Sequence, residues 1–135
     1  MGLTVLDAGV IIGVLDATDA HHVTARDALA AAVERGDTLV VPASAYAECL
    51  VGPALRGESA VQRVNDFLFD LTAEVEPITR QVAAQAAQLR ARHGSRLRLP
   101  DALVVALAMH LKADRLLTTD RGWPRVGVRV DLVGS

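Results

Sequence analysis

A hydrophobic segment that contains one acid, residues 97 to 109, constrains the fold more than any other stretch of this chain. It reads Leu-Arg-Leu-Pro-Asp-Ala-Leu-Val-Val-Ala-Leu-Ala-Met and is apolar on nearly every side of a helix, which predicts burial of most of its surface. Pro100 suits the first helical position and favours extended geometry at Leu99, so we expect the helix to begin there. Asp101 then either complements the helix dipole or is a buried carboxylate that needs a partner such as a metal ion.

Strand-like and helix-like segments alternate along the rest of the chain. Buried strands are predicted at residues 4–7, 38–41 and 115–118, with further strands at 74–76 and 126–133. Helical patterns cover residues 10–15, from 18 or 19 to 35, from 44 to an interruption at Gly52-Pro53, 60–71 and 79–93. This alternation predicts an α/β fold with a mainly parallel sheet and helices on both faces. Residues 1–135 suit a single domain with one core.

Composition excludes several classes of protein. Hydrophobic residues make up 51% of the chain but aromatic residues only 3%, so the core must consist mainly of Ala, Val and Leu. No apolar run approaches the ~20 residues that cross a bilayer, so we expect no membrane association. The lone Cys49 cannot form an internal disulfide, and the amino terminus lacks a basic, signal-like segment. We therefore expect a cytoplasmic protein.

Acids stand at four similar places in the strand and helix pattern. Asp7 and Asp120 follow strands, Glu48 lies about one turn into the helix after the second strand, and Asp101 opens the hydrophobic helix. Ligands of open parallel sheets bind at the carboxyl ends of the strands, so we expect these carboxylates at one rim. Their repulsion requires raised pKa values or a divalent cation, and oxygen ligands favour Mg²⁺ or Mn²⁺ over zinc. Taken singly, Asp7 and Asp120 also suit turns, and Glu48 suits an exposed helix surface.

Four short segments carry these acids in order along the chain. They are residues 5–7 (Val-Leu-Asp), 42–48 (Pro-Ala-Ser-Ala-Tyr-Ala-Glu), 99–103 (Leu-Pro-Asp-Ala-Leu) and 117–121 (Leu-Thr-Thr-Asp-Arg). Together they resemble the PIN-domain ribonucleases, in particular the VapC toxins of bacterial type II toxin–antitoxin pairs. The resemblance covers essentially the whole chain. It implies a PIN-like three-layer sandwich, with a central sheet of about five strands flanked by helices.

The resemblance also implies an activity and a set of site residues. It implies a toxin that is a Mg²⁺-dependent endoribonuclease, with Mn²⁺ able to substitute, acting on RNA phosphodiester bonds. The family's acidic quartet falls on Asp7, Glu48, Asp101 and Asp120. Of these, Asp7, Asp101 and Asp120 would hold the metal, and Glu48 would be a further ligand or orient the attacking water. Thr118 falls on a hydroxyl often found two residues before the last acid. A homodimer and a cognate VapB-type antitoxin are implied as well.

The residues after the first acid depart from the family pattern. The family often has Ser, Thr or Asn there, whereas this chain has Ala8-Gly9. A hydroxyl next to the metal-bound water is therefore missing, and we expect weaker metal affinity. The acidic quartet itself is intact.

Basic residues are concentrated in the second half of the chain. Residues 79 to 135 carry ten Lys or Arg against four Asp or Glu, whereas residues 1 to 78 carry four against twelve. This asymmetry indicates an anionic partner, unless the two halves intermingle in the fold. Arg92, Arg96, Arg98 and Arg121 are candidates for contacts with RNA phosphates. The basic run before Asp101 is equally explained as a solvated helix end, where cations are favoured.

A second class of function is a Mg²⁺-binding signalling or binding module without nuclease activity. A phosphoacceptor receiver domain, for example, needs paired acids after the first strand and a lysine after a late strand. Here Asp7 is followed by Ala8-Gly9, and the only lysine, Lys112, lies in a helical region. These residues disfavour the receiver, and an RNA cleavage assay with metal titration separates a nuclease from a binding module.

Overall fold

The chain folds around a five-stranded parallel sheet. The computed structural model describes residues 2–134. The strands are β1 (Leu3–Leu6), β2 (Thr38–Pro42), β3 (Glu74–Glu76), β4 (Arg115–Thr118) and β5 (Val130–Leu132). Their order across the sheet is β3-β2-β1-β4-β5, and every neighbouring pair is parallel. The predicted sheet of about five mainly parallel strands is therefore confirmed.

Helices flank this sheet and pack in consecutive pairs. Their bounds are α1 (Ala8–Leu15), α2 (His22–Glu34), α3 (Ala43–Arg56), α4 (Glu58–Asp70), α5 (Arg80–His93) and α6 (Leu99–His110), and a 3₁₀ turn at Gly94–Arg96 joins the last two. The pairs are α1 with α2, α3 with α4, and α5 with α6. Between residues 2 and 134, none of the helices is long and apolar enough to cross a membrane.

Helix α6 is as buried as its apolar sequence predicted. It begins at Leu99 with Pro100 in its first turn, and every residue from Val104 to Ala108 is buried. Strands β1 and β4 add the fully buried Leu6 and Leu116. Burial of a Leu or Val side chain contributes roughly 1.5–3 kcal/mol. The elements that lead into three of the candidate acids are therefore the most firmly held parts of the fold.

Helix α2 begins later than predicted. The sequence suggested a cap at residue 18 or 19, but the helix starts at His22. The side chain of Asp16 accepts a hydrogen bond from the Thr18 amide at 3.0 Å, and that of Asp19 accepts one from the His21 amide at 2.8 Å. These short-range bonds form turns, which compete with helix capping for the same side chains.

Helix α3 continues through Gly52-Pro53, where an interruption was predicted. A proline normally clashes with the Cβ of the residue before it. Residue 52 is glycine and has no Cβ, so this part of the clash is absent, and Pro53 lies in the last turn of α3. It ends at Arg56, because Gly57 has a φ of 122° that helical residues do not adopt. Strand β5 is also shorter than predicted, since only three of its residues pair with β4.

The carboxylate of Asp37 ties together the amino-terminal end of the sheet. Its side chain is 2% exposed. Oδ2 accepts hydrogen bonds at 2.9 Å from the Thr4 hydroxyl and from Nη2 of Arg35, and Nε of Arg115 lies 3.9 Å away. Oδ1 accepts a hydrogen bond from the Gly2 amide at 3.3 Å. Burial opposes ionisation, but the hydrogen bonds and the Arg35 charge hold the pKa of Asp37 below its usual value.

We expect Asp37→Asn to lower the free energy of unfolding at neutral pH by roughly 2–4 kcal/mol, because donors around a buried charged acceptor lose their partner. Asp27→Asn is the matched control, since Asp27 is 69% exposed and its Arg26 contact is 3.8 Å long. Urea unfolding of both variants measures the difference. Equal effects of the two substitutions would contradict the structural role of Asp37.

The same variant has a defined pH dependence. Because the folded-state pKa of Asp37 lies below its unfolded value near 3.8, the carboxylate stabilises the fold above that value. The stabilisation is lost as the pH falls through the folded-state pKa. The difference between the wild type and Asp37→Asn should therefore shrink in acid, which the same unfolding measurement checks.

Candidate active site

Asp7 lies directly after β1, at the carboxyl-terminal edge of the sheet, which we call the carboxyl edge. Its side chain caps α1, with Oδ1 accepting a hydrogen bond from the Ala8 amide at 2.9 Å. Oδ2 accepts a hydrogen bond from the hydroxyl of Thr118 at 2.7 Å. The Asp7 amide donates to the carbonyl of Leu117 at 3.0 Å. Asp7 is 8% exposed and is thus fixed from both β1 and β4.

Thr118 connects the first and last acids of the quartet. It is the final residue of β4 and is fully buried. While its hydroxyl donates to Asp7, its oxygen accepts a hydrogen bond from the Asp120 amide at 3.1 Å. The Asp120 carboxylate accepts one from the Gly122 amide at 2.8 Å. One hydroxyl therefore sets both the orientation of Asp7 and the start of the loop that carries Asp120.

Asp101 lies in the first turn of α6, and its side chain is 14% exposed. Nε of Arg98, one turn earlier, lies 3.8 Å from its Oδ2. The Trp123 indole lies near the same carboxyl group. Its Nε1 is buried, but within residues 2–134 it has no partner at hydrogen-bonding distance and angle. Asp101 is thus partly enclosed, and among residues 2–134 its one ion pair is the 3.8 Å contact with Arg98.

Glu48 is carried by α3, the helix that follows β2. Its side chain reaches solvent, unlike that of the neighbouring Cys49, which is buried. Burial, with the nearby charges of Asp7 and Glu48, raises the pKa of the Cys49 thiol to about 12. The thiol is therefore protonated at neutral pH and does not supply a nucleophile or a metal ligand.

The carboxylates of the quartet are close enough to interact electrostatically. Burial raises the pKa of Asp7 despite its hydrogen bonds, and the charges of Glu48 and Asp120 add to the increase. Burial and then the charge of Asp101 raise the pKa of Glu48. Burial and then the charges of Asp7 and Asp120 raise the pKa of Asp101, with Arg98 opposing. The structure thus brings all four acids to the carboxyl edge.

The donor set at the carboxyl edge suits a hard divalent cation. It consists of carboxylate oxygens, and raised carboxyl pKa values mark negative charge that the protein itself leaves uncompensated. Among residues 2–134, no three ligating side chains already stand close enough to form a complete metal-binding group. Mg²⁺ commonly binds through one or two carboxylates and retains several waters, so an all-protein cage is not required.

The arginines singled out in the sequence are all exposed, but they lie at different distances from the acids. Arg98 is 76% exposed and stands beside Asp101. Arg121 follows Asp120 directly, whereas Arg92 lies in the last turn of α5 and Arg96 ends the 3₁₀ turn. Arg98 and Arg121 are therefore the two that the chain itself attaches next to the carboxylates.

Gly9 and Trp123 belong to this site although the sequence did not assign them to it. A Cβ at Gly9 would clash with the Thr119 hydroxyl, so a larger residue there would require the Thr119 side chain, in the loop between β4 and Asp120, to move. Gly9 was read only as part of a departure from the family pattern. Nothing in the sequence relates Trp123 to Asp101, because the two residues come together only in the folded chain.

Comparisons with known proteins agree with this arrangement. A PIN domain family model matches residues 4–129, and no curated protein matches the chain.

The fold is similar to VapBC2 from Rickettsia felis bound to a promoter DNA fragment, with a TM-score of 0.77 and 13% identity over 97% of this chain and 98% of that one. FitAcB from Neisseria gonorrhoeae has a TM-score of 0.67 and 22% identity over 95% and 96%. VapC20 from Mycobacterium tuberculosis, a Sarcin-Ricin loop cleaving toxin, has a TM-score of 0.67 and 19% identity over 84% and 86%.

The sequence resemblance and the parallel sheet with its flanking helices point to the same family. The family match begins within β1 and extends past Asp120, so it spans every acid of the quartet. This chain belongs to the PIN-domain family.

Proposed function

We propose that this chain is the toxin of a toxin–antitoxin pair and acts as a divalent-metal-dependent endoribonuclease. The observation that carries the proposal is that four carboxylates are electrostatically coupled at the carboxyl edge, where burial and then neighbouring negative charges raise the pKa values of Asp7, Glu48 and Asp101. Such coupling opposes folding and is typical of sites that bind metals or perform chemistry. Membership of the PIN-domain family supports it, because PIN-domain nucleases generally use divalent metal ions. RNA as the substrate is supported by the similar fold of VapC20, a Sarcin-Ricin loop cleaving toxin.

In this proposal Asp7, Asp101 and Asp120 hold Mg²⁺, for which Mn²⁺ can substitute. The bound ion would supply a more acidic water and would stabilise charge on the phosphoryl and leaving oxygens. Glu48 accepts a hydrogen bond or a proton from the attacking water, since it is the member of the quartet most open to solvent. Thr118 is a positioning residue that acts through Asp7, to which its hydroxyl donates.

The arginines beside the acids are proposed to hold the RNA backbone. Arg98 and Arg121 are placed to contact phosphates next to the cleaved bond, and Arg92 and Arg96 to contact phosphates farther along the strand. Guanidinium groups form bidentate hydrogen bonds with phosphate oxygens, which suits this role. Their positive charge would also offset the repulsion between the RNA phosphates and the acidic quartet.

An antitoxin partner and a homodimer complete the proposal. Similar folds are found in VapBC2, in FitAcB and in a toxin-antitoxin complex from Klebsiella pneumoniae, which has 21% identity and a TM-score of 0.67. This chain exposes large apolar side chains on α3 and α4, including Leu55 at 86% and Phe69 at 82%. Exposed apolar groups of this size suit a protein partner.

We expect Asp101→Asn to lower RNA cleavage by about 10²-fold or more, because a metal ligand is lost while the shape of the side chain is kept. Cleavage of a labelled RNA in excess Mg²⁺ measures the rate. Mg²⁺ should also raise the melting temperature of the wild type but not of the variant, since ligands stabilise the folded state that binds them. Asp70→Asn, at an exposed acid that ends α4, is the control. A variant that cleaves at the wild-type rate would disprove the assignment.

The raised pKa of Asp101 gives a second expectation, for the metal-free protein. A carboxyl whose folded-state pKa lies above its unfolded value of 3.8 destabilises the fold increasingly as the pH rises through the folded-state value. Asp101→Asn removes this penalty and should stabilise the metal-free protein at neutral pH by about 0.2–1 kcal/mol, the range for partly screened charges.

Unfolding in EDTA at several pH values measures this difference. The stabilisation by Asp101→Asn should disappear below the unfolded pKa, where the wild-type carboxyl is protonated in both states. Glu48→Gln should show the same sign, because the pKa of Glu48 is raised too. Destabilisation by both variants at neutral pH would show that the quartet is structural and not strained by its own charge.

A further inference from the structure

A cavity of about 520 Å³ lies between α1, α3 and α4, and we call it the Glu48 cavity because Glu48 forms part of its wall. We propose that it binds one nucleotide of the RNA substrate, next to the nucleotide whose phosphate is cleaved. Arg56 and Arg63 would contact the phosphate, and the apolar floor would contact the base. This proposal rests on the proposed endoribonuclease function and assigns a part of its substrate site.

The floor of the Glu48 cavity is apolar and open to solvent. Ile12 and Leu15 of α1 line it and are each 37% exposed, although helix α1 is otherwise largely buried. Pro53 and Val64 line it from α3 and α4. Ligand pockets commonly have volumes of about 300–1,000 Å³ and an apolar lining with a few polar groups. The size and lining therefore suit a nucleobase with its attached phosphate.

Arg56 and Arg63 supply the positive charge of the cavity. Nη1 of Arg56 lies 3.5 Å from where a Cβ on Gly52 would stand, so its guanidinium folds back over α3 in the cavity wall. Between residues 2 and 134, neither arginine has a carboxylate within 4 Å. The carboxylate of Asp16, also in the wall, is hydrogen-bonded to the amide and hydroxyl of Thr18 at 3.0 and 2.6 Å. The Thr18 hydrogen bonds, and to a smaller extent the charge of Arg56, lower the pKa of Asp16. Arg56 thus lies near Asp16 but forms no ion pair with it within 4 Å, and both guanidinium groups retain donors for an anion.

Two features favour RNA over a protein segment as the occupant. Glu48 belongs both to the cavity wall and to the acidic quartet, so a strand whose phosphate lies at the quartet continues directly into the cavity. Guanidinium groups bind phosphates and also stack on unpaired bases. A peptide in the same space would need acidic side chains to pair with Arg56 and Arg63, whereas every RNA phosphate brings a negative charge.

The test is binding of a short, labelled single-stranded RNA in EDTA, where cleavage cannot interfere. The double variant Arg56→Gln/Arg63→Gln should bind about 10-fold more weakly, because two phosphate contacts are lost. The dependence of log affinity on log salt should flatten by about 0.7, the value for one phosphate of a single strand. Arg26→Gln/Arg80→Gln is the control: it removes the same charge from exposed positions on α2 and α5.

Crosslinking locates the base independently of affinity. RNA that contains 4-thiouridine should crosslink, on irradiation, to peptides that carry residues 12–18 or 49–64, which include the cavity lining. With Mg²⁺ present, the double variant should raise KM about 10-fold and change kcat less than about twofold, because the lost contacts bind substrate without touching the reacting atoms.

The outcomes separate this proposal from the nuclease itself. RNA affinity and salt dependence equal to those of the wild type in Arg56→Gln/Arg63→Gln would overturn the cavity assignment and leave a protein segment as its occupant. That result would not affect the loss of cleavage expected for Asp101→Asn. Arginine-dependent RNA binding by a protein that cleaves no RNA would support the cavity and overturn the nuclease. Equal weakening by the control variant would show nonspecific attraction only and would also overturn the cavity assignment.

Discussion

Repulsion among carboxylates at the carboxyl edge is the constraint to which the rest of the structure responds. Asp7 and Asp101 are held there by the most buried elements of the fold, β1 and α6, so neither can move into solvent. Burial, and after it the charges of the neighbouring acids, raises the pKa of both carboxyl groups, so holding them ionised at this edge is a cost of folding. The buried Ala, Val and Leu core offsets that cost, and a divalent cation bound among the carboxylates would remove it.

The pKa of a carboxyl group is shifted in opposite directions at the two ends of the sheet. At the amino-terminal end, Asp37 is surrounded by donors from Thr4, Arg35 and Gly2, and its pKa is lowered. At the carboxyl edge, Asp7 has two hydrogen bonds but faces other acids, and its pKa is raised. A satisfied carboxylate stabilises the fold, whereas an unsatisfied group of them is typical of a functional site. The contrast between the two ends supports the assignment of the carboxyl edge as the active site.

The sequence predicted the features that depend on short-range pattern. Strand and helix alternation predicted the parallel sheet, and the position of each acid after a strand or at a helix start predicted one rim. It did not predict that α3 passes through Pro53, because a Gly-Pro pair more commonly marks a turn or a helix end. It also gave no sign of the Glu48 cavity, since Arg56 and Arg63 meet only when α3 and α4 pack together. The cavity depends on contacts between residues far apart in the sequence, and a short-range sequence pattern does not contain such contacts.

Direct observation of the ion tests the central claim, that the quartet gathers in order to bind a divalent cation. Crystals soaked in Mn²⁺, with diffraction recorded at the manganese absorption edge, give an anomalous signal wherever the ion is ordered. We expect one strong peak in contact with carboxylate oxygens of Asp7 and Asp101, which vanishes in Asp101→Asn crystals. A strong peak elsewhere on the protein, with none at the carboxyl edge, would contradict the claim.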